Sequence, residues 1–327
     1  MIKISMIYNF VKSYFIDDFY YDYWHCPHPT SCEIKNGDYP INFQYKTNFS
    51  GEYDKNGIPL LDLSSQHWSK SRESIYSPIV ISQFALGHYS KYIEKNSKES
   101  LEIFIHCAQW ILDNSSFARI NNQDTAIFYI SLDSGSRYKS GMAQGLAISV
   151  LCRYYLIKNQ AHILRKIILL LRPMTIAIEK GGLASRLGDG FVIEEWSHEN
   201  YKIFNGHLFA LIGILELKKV FPKNNKLLNL SRKLKLSSLN LAKKIDIGTW
   251  TLYSLKPGII KNISSYFYHN LHINLMKGIY ILEDDIKFKN FADRWNLQRN
   301  SIFNKLYAMI YKIADIFFYQ LKLRLKK

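Results

Sequence analysis

Glycine-rich phosphate loops are missing from this 327-residue chain; neither GxxxxGK[ST] nor GxGxxG occurs. That argues against P-loop and dinucleotide-binding folds. HExxH and the GxSxG nucleophile elbow are absent as well, so neither a zincin nor an α/β-hydrolase is indicated. Cysteine is scarce. Cys26, Cys32, Cys107 and Cys152 form no CxxC pair and no metal spacing. Cys107 and Cys152 stand in apolar helical patterns, which predicts buried free thiols. No run of about 18 apolar residues marks a membrane span. The apolar N-terminus meets Asp17 and Asp18 early and shows no small-residue cleavage site, which argues against a secretory signal. The expected location is cytoplasmic.

What the chain does have is a globular composition and an uneven charge. Apolar residues make up 47% and charged residues 21%, which fits a folded core and not a disordered chain. At about 100–200 residues per domain, the length suggests two domains or one large one. Lysine and arginine outnumber acids 43 to 27, a net charge of +16. Nine of the basic residues fall between Lys218 and Lys244 with no acid among them, and seven between Arg299 and Lys327 with one Asp. Such local basic surfaces fit an anionic partner, an acidic glycan or a membrane surface, and equally fit solvated helix faces. They lack the aromatic interleaving of nucleic-acid modules, so no nucleic-acid partner is expected.

Residues 1–56, rich in Tyr, Asp, Asn and Pro, predict a short first helix and then irregular or hairpin structure. From Pro78 the pattern turns helical. Asn96-Ser-Lys-Glu99 reads as a capping box with Asn96 as the cap. It opens a helix with Leu101, Phe104, Ile105, Ala108, Ile111 and Leu112 on one stripe. Further helices are predicted over 141–157, 160–179, 202–221, 226–244, 268–283, 286–297 and 301–325. Gly188-Asp-Gly190 signals a hairpin between 183–187 and 191–195, and 250–253 is a short extended candidate.

Helix pairs joined by loops predict a mainly α fold. The expected form is an α/α toroid, an incomplete barrel of helical hairpins, with short β-hairpins and a small irregular N-terminal segment. Its divisions would be an N-terminal segment over 1–75, the toroid over 76–298 and a basic amphipathic helix over 299–327. Functional loops would gather at one end of the ring. The last helix carries Phe303, Leu306, Tyr307, Ile310, Ile313, Phe317 and Leu321 beside Lys305, Lys312, Lys322, Arg324, Lys326 and Lys327. It either lies on an anionic membrane or docks on the protein's own core.

Three clusters have residue types suited to chemistry. Ser140-Gly-Met-Ala-Gln-Gly145 opens a helix with small residues, and Gln144 there offers a donor and an acceptor; close helix packing explains the same letters. Glu194-Glu195-Trp196 follows the hairpin and precedes Phe204-Asn205-Gly206. Adjacent acids at a strand end point to opposite faces, so at most one enters a site. In Tyr266-Phe-Tyr-His-Asn-Leu-His-Ile273 the pair His269 and His272 lacks a third metal ligand; a core or hydrogen-bonding role is expected rather than a metal site.

At these clusters the sequence resembles the C-terminal domain of the D-glucuronyl C5-epimerase family, from about Tyr138 to Trp295. Ser140–Gly145 resembles the family's SGMAQGQ, Glu194–Trp196 its EEYP, and Phe204–Gly206 its LNG. Trp250-Thr-Leu-Tyr253-Ser-Leu255 is similar to W-x-x-YDL, and Tyr268-His269-Asn-Leu-His272-Ile273 to YHxxHI. A weaker likeness joins Tyr53–Leu60 and Ser82–Tyr89 to its GIP and QYALG segments.

The resemblance implies an α/α toroid that inverts C5 of hexuronic acid residues, D-glucuronate to L-iduronate, in an acidic polysaccharide or lipid-linked glycan. It implies Tyr268, Glu195 and Tyr253 as catalytic residues, with Glu195 and Tyr268 as acid and base on opposite faces of the ring. Gln144, Trp196, Asn205, Lys256, His269 and His272 would contact the sugar. Trp196 stands where the family has a functional tyrosine and carries no acid or base. Lys256 stands near a family arginine. Proton exchange requires no redox cofactor and no metal. A polysaccharide lyase and a non-catalytic glycan-binding protein on the same scaffold are the alternatives. A homodimer and a peripheral position on the inner membrane face stay open.

Overall fold

A computed structural model of the chain describes residues 4–16, 19–20, 22–31, 37–63, 73–133, 136–198, 200–257 and 261–325; Cys32 lies outside them. A first helix, α1 (Ile4–Lys12), leads into irregular chain. Four helical hairpins follow among the described residues: α2 (Pro78–Lys95) with α3 (Lys98–Asp113), α4 (Gly141–Lys158) with α5 (Ala161–Leu171), α6 (Phe204–Val220) with α7 (Asn225–Ile245), and α8 (Tyr266–Glu283) with α9 (Ile286–Asn300). The last helix is α10 (Ile302–Leu325).

The first member of each hairpin lies inside. α2 packs on α4, α4 on α6 and α6 on α8, while each second helix packs on its own partner. Burial follows this layering. Every residue from Gly141 to Tyr154 and from Phe204 to Leu217 is buried, whereas α5 buries only Ile163, Ile167 and Leu170. A helix apolar all round belongs inside a bundle, and one with a single apolar stripe belongs on its outside. Two concentric layers of helices make the molecule an α/α toroid. The ring's gap is filled by irregular chain: Asn274 of α8 donates to the His28 carbonyl at 2.9 Å, and the turn Gln44–Thr47 packs on α2.

Turns inside three of the four hairpins are short and alike; the α6–α7 turn over 221–224 has no left-handed residue. Asn96, Asn159 and Asp284 each take a left-handed conformation (φ 51°, 48° and 51°), and the next residue is extended and opens the outer helix. Asn and Asp tolerate this conformation better than other residues with a Cβ. Asn96 is therefore the end of α2, and the cap of α3 is Ser97, whose hydroxyl accepts from the Ser100 N–H. The helix expected over 160–179 stops at Leu171, because Pro173 supplies no amide for another helical turn.

Connections from outer to inner helices are long and carry the hairpins. β1 (Leu60–Asp62) pairs with β2 (Ser74–Tyr76) ahead of α2. β3 (Ser116–Ile120) pairs with β4 (Gln123–Ile127), and β5 (Tyr129–Asp133) with β6 (Ser136–Lys139), before α4. β7 (Ala184–Leu187) and β8 (Gly190–Ile193) precede α6, with Gly188 and Asp189 at their turn as expected. Asn121 and Asn122, both at positive φ, close the β3–β4 turn; this hairpin was not expected from the sequence. These connections all enter the starts of the inner helices, so loops gather at that end of the ring.

α4 and α6 meet at backbone contact. A Cβ on Gly145 would fall 2.5 Å from the Ala210 Cα and the Phe209 carbonyl. A buried ion pair, Arg153 with Glu216 at 2.6 Å, joins the same helices. Gly145→Ala is expected to destabilise the fold by about 1–3 kcal/mol, because rigid backbone must move; the thermal midpoint from calorimetry checks this.

Candidate active site

The segments bearing the three clusters converge at the inner-helix starts. The Gly141 N–H opening α4 is shared between the carbonyls of Glu194 (3.1 Å) and Glu195 (3.2 Å). The Phe204 N–H opening α6 donates to the Tyr253 carbonyl at 3.2 Å, and the Leu255 N–H to the Tyr201 carbonyl at 2.8 Å. Ser265 caps α8 through the Tyr268 N–H. These bonds bring 139–145, 194–206, 250–255 and 265–272 to one place.

The two acids point apart. Glu194 accepts from the Ser185 hydroxyl and from the Lys202 N–H at 2.9 Å, so it is tied into the hairpin loop. Glu195 turns the other way and lies on Gly206, where a Cβ would fall 2.5 Å from its Oε2. Its Oε2 is buried without a well-formed hydrogen bond. Desolvation pushes this carboxyl up to about 8; the Trp196 side chain opposes the rise and the neighbouring Glu194 adds to it. At neutral pH Glu195 holds its proton.

Tyr253 and Tyr268 stand beside it, ring centroids 4.6 Å apart at 61° and both half-buried. Burial raises the Tyr253 phenol well above 10, and Glu195 and Tyr268 raise it further. The three expected catalytic residues thus act on one another electrostatically.

Four expected residues hold buried polar atoms without a well-formed hydrogen bond: Glu195 Oε2, Trp196 Nε1, Asn205 Oδ1 and His272 Nε2; the Trp196 N–H is nonetheless near enough to the Glu195 carboxyl to favour its ionised form. Buried polar atoms are nearly always bonded, so a cluster of such groups is a candidate for ligand contact. Tautomer logic sharpens this for His272. His269 bonds the Trp295 carbonyl through Nε2 (3.1 Å) and Thr251 Oγ1 through Nδ1 (2.9 Å). The Thr251 hydroxyl then donates to His269 and accepts from His272 Nδ1 at 3.0 Å. That leaves His272 Nε2 as a lone-pair acceptor.

Two expectations need correcting. Gln144 does not reach a ligand. Its Oε1 accepts from the Phe128 N–H (2.8 Å), and its Nε2 donates to the carbonyls of Ala126 (2.9 Å) and Leu170 (2.7 Å). It staples β4, β5 and α5 to α4. His269 has both nitrogens engaged and is stacked on Trp250 at 3.8 Å, so it orients the 250–255 segment and not a sugar. Lys256 is exposed, 4.9 Å over the Tyr201 ring.

Trp196 belongs to a ladder that sequence reasoning missed. It stacks at 11° on His198 (6.1 Å), which stacks on Tyr138 (3.7 Å). The two-residue spacing of Trp196 and His198 was the available signal. Among the described residues, no group of three His, Cys, Asp or Glu is arranged to hold a metal.

Comparison with known proteins decides the family. The model described as D-glucuronyl C5-epimerase C-terminus matches residues 125–297, more than half of the chain. The chain belongs to this family. The D-glucuronyl C5-epimerase of Caenorhabditis elegans is 27% identical over 173 residues, which cover 48% of this chain and 28% of the worm protein. The chain therefore spans little more than a quarter of that relative. A glycoside hydrolase family 76 mannosidase from Bacteroides thetaiotaomicron superposes with a TM-score of 0.45 at 13% identity, over 68% of this chain and 61% of its own. Every motif from Ser140 to Ile273 lies inside the epimerase-family span; the segments at 53–60 and 82–89 lie outside it.

The epimerase-family core is rich in neutral histidine. Burial lowers His207 and His272 to about 3 and His88 to about 4. In the unfolded chain each takes a proton near pH 6.5. The unfolded state therefore binds more protons between about pH 6.5 and these values, and stability falls as pH drops through that window. The slope is up to about 1.4 kcal/mol per pH unit for each histidine. Urea midpoints should decline from about pH 6 to 4.5, where the histidines together outweigh the opposite linkage of Glu195; a flat profile would contradict the burial of these rings.

Proposed function

We propose that the chain is a uronosyl C5-epimerase, converting D-glucuronate to L-iduronate residues in an acidic polysaccharide or lipid-linked glycan. The observation that carries this reading is a buried, protonated carboxyl, Glu195, beside two phenols, Tyr253 and Tyr268, within a domain of the epimerase family. The C5 proton lies α to the uronate carboxylate, so its removal gives an enediolate. Inversion needs removal on one face and delivery on the other.

Tyr268 takes the proton on one face and Glu195 returns one on the other. Tyr253, whose phenol keeps its proton, donates to the developing charge. Asn205 and His272 hold ring hydroxyls with their unpaired acceptors, and Lys256 meets the substrate carboxylate from the rim. The chemistry is proton exchange, with no redox cofactor. Trp196 in place of a family tyrosine favours one other reading, a glycan-binding protein that stacks sugar on an aromatic ring without turning it over.

The test is incubation with uronate glycan in heavy water. An epimerase incorporates deuterium at C5 without a new C4–C5 double bond. A lyase shows the double bond by absorbance, and a binder shows neither. Tyr268→Phe should lower exchange by about 10²–10⁴-fold with the fold intact by circular dichroism. Full exchange in that variant would remove Tyr268 from its role.

The partner surface lies on α10. Ala308 is buried with Tyr14, Trp250 and Ile263, while Phe303, Ile310 and Phe317 on the opposite side are 79%, 63% and 64% exposed. The helix thus both docks on the protein and offers an apolar stripe, and the sequence 322–327 adds Lys322, Arg324, Lys326 and Lys327. No helix among the described residues is long and apolar enough to cross a membrane. The stripe and these charges suit lying on an anionic membrane, which would hold the chain peripherally on the inner face and bring a lipid-linked substrate to it. Truncating α10 would uncover Trp250, so the cleaner variant is Phe303→Ser, Ile310→Ser and Phe317→Ser together. It should lose binding to phosphatidylglycerol vesicles in flotation while keeping its thermal midpoint; unchanged flotation would rule the stripe out.

A further inference from the structure

We infer that His25, held by Asp22, is a positioning residue that accepts the phenolic proton of Tyr268 and so prepares Tyr268 as a base. The inference deepens the epimerase reading and rests on it. A tyrosine takes a carbon-bound proton only as phenolate, and an unassisted phenol ionises near 10. Something beside Tyr268 has to receive its proton. Neither neighbour named so far can: Glu195 is already protonated at neutral pH, and Tyr253 holds its proton more tightly than a free phenol.

His25 stands on the other side. Its ring lies 6.1 Å from that of Tyr268 and 5.0 Å from that of Phe267, edge to face with both. Asp22 grips it three ways. His25 Nδ1 lies 2.8 and 2.9 Å from the two carboxylate oxygens, and the His25 N–H donates to Oδ1 at 2.8 Å. A carboxylate on Nδ1 fixes the tautomer, makes Nε2 the basic nitrogen and stabilises the imidazolium once it forms.

The surroundings support this. Lys46, fully buried in the turn beneath, donates to the Tyr23 and Trp24 carbonyls and so holds the 22–25 segment in place. It also favours the ionised form of Asp22. Burial keeps the adjacent His28 neutral. Cys26 lies by Lys46, and Tyr266 lines a small cavity with His25. Beyond Tyr268 stand Tyr253 and Glu195.

The protons balance. The Tyr268 O–H bond breaks as the His25 N–H bond forms. The phenolate takes the C5 proton, and the Glu195 carboxyl delivers its proton to C5 from the opposite face. The cycle ends with imidazolium at His25 and carboxylate at Glu195. One proton passing from the first to the second through solvent restores the start. His25 and Asp22 both lie outside the family-matched span of 125–297, so the N-terminal segment would complete the site.

The experiment is C5 deuterium exchange on the full chain against pH, for wild type, His25→Gln and Asp22→Asn. The wild-type profile supplies the reference rising limb. In His25→Gln, exchange at pH 7.5 should fall by about 10²-fold, and the rising limb should move toward the phenol range with alkaline recovery. Asp22→Asn should shift the limb the same way by a smaller step; it is the deciding variant if His25→Gln fails to fold. A purely structural role would scale the profile without moving it. Exchange in wild type, with the limb unmoved in the folded variants, overturns the relay alone. No exchange in wild type overturns the epimerase reading and the relay with it.

Discussion

The approach of α4 to α6 down to backbone contact at Gly145 governs the rest of this structure. With the two inner helices that close, their first residues come side by side. The loop between β8 and α6 must then fold back over the start of α4, where the Gly141 N–H takes the carbonyls of both glutamates. That backbone posture turns Glu194 into the hairpin and presses Glu195 onto Gly206. The burial of Glu195 is therefore imposed by the scaffold. The linkage sign shows what it does to stability. A carboxyl that ionises near 4.5 unfolded and about 8 folded weakens the fold as pH rises between those values. A residue kept there against stability is what a functional site looks like.

Polar groups elsewhere in the interior contrast with those of the site. Gln144 spends its whole amide on three backbone groups. His207 takes the Ile193 N–H on one nitrogen and meets the Ser238 hydroxyl with the other, tying β8 to α6 and α7. Arg153 forms two hydrogen bonds with Glu216 and one with the Ser149 carbonyl, although its Nε has no partner. These groups tie the scaffold together through the bonds they make. Glu195, Asn205, His272 and Trp196 each keep a buried atom unused. Ser149, Arg153 and Gln298, away from the candidate site, keep one as well, so it is the convergence of four such atoms near Tyr253 and Tyr268 that marks the site.

Much of the fold was legible because helical periodicity survives in single sequences: α4, α6, α7, α8 and α10 lie within two residues of their expected bounds, and α9 runs three residues past its expected end. The repeat was not legible, and the reason is physical. What recurs is a conformation, left-handed then extended, carried by Asn96-Ser97, Asn159-Gln160 and Asp284-Asp285. Different letters satisfy it. The rule that adjacent acids face apart agrees with how Glu194 and Glu195 lie, whereas Gln144 spends its amide on backbone groups because an amide suits backbone as well as sugar. His25 and Asp22 escaped notice because a pair three apart in irregular chain carries no periodic signal. Only folding sets it against α8.

The N-terminal segment is more than a cover for the ring's gap. Burying the ammonium of Lys46 costs several kcal/mol unless its protons are bonded, and the carbonyls of Tyr23 and Trp24 supply that bonding. The Tyr23 ring adds a cation–π contact at 4.2 Å. A buried cation of this kind tolerates one arrangement of the chain around it, so it fixes the loop that carries Asp22 and His25 with a stringency that apolar packing alone would not provide. On the other side, Asn274 of α8 holds His28. The irregular stretch is thus clamped at both ends, to the turn over Gln44–Thr47 and to the helix bearing Tyr268. Irregular backbone can be as well determined as a helix when a buried charge depends on it, and it is positioned here against the aromatic start of α8, where the candidate chemistry lies.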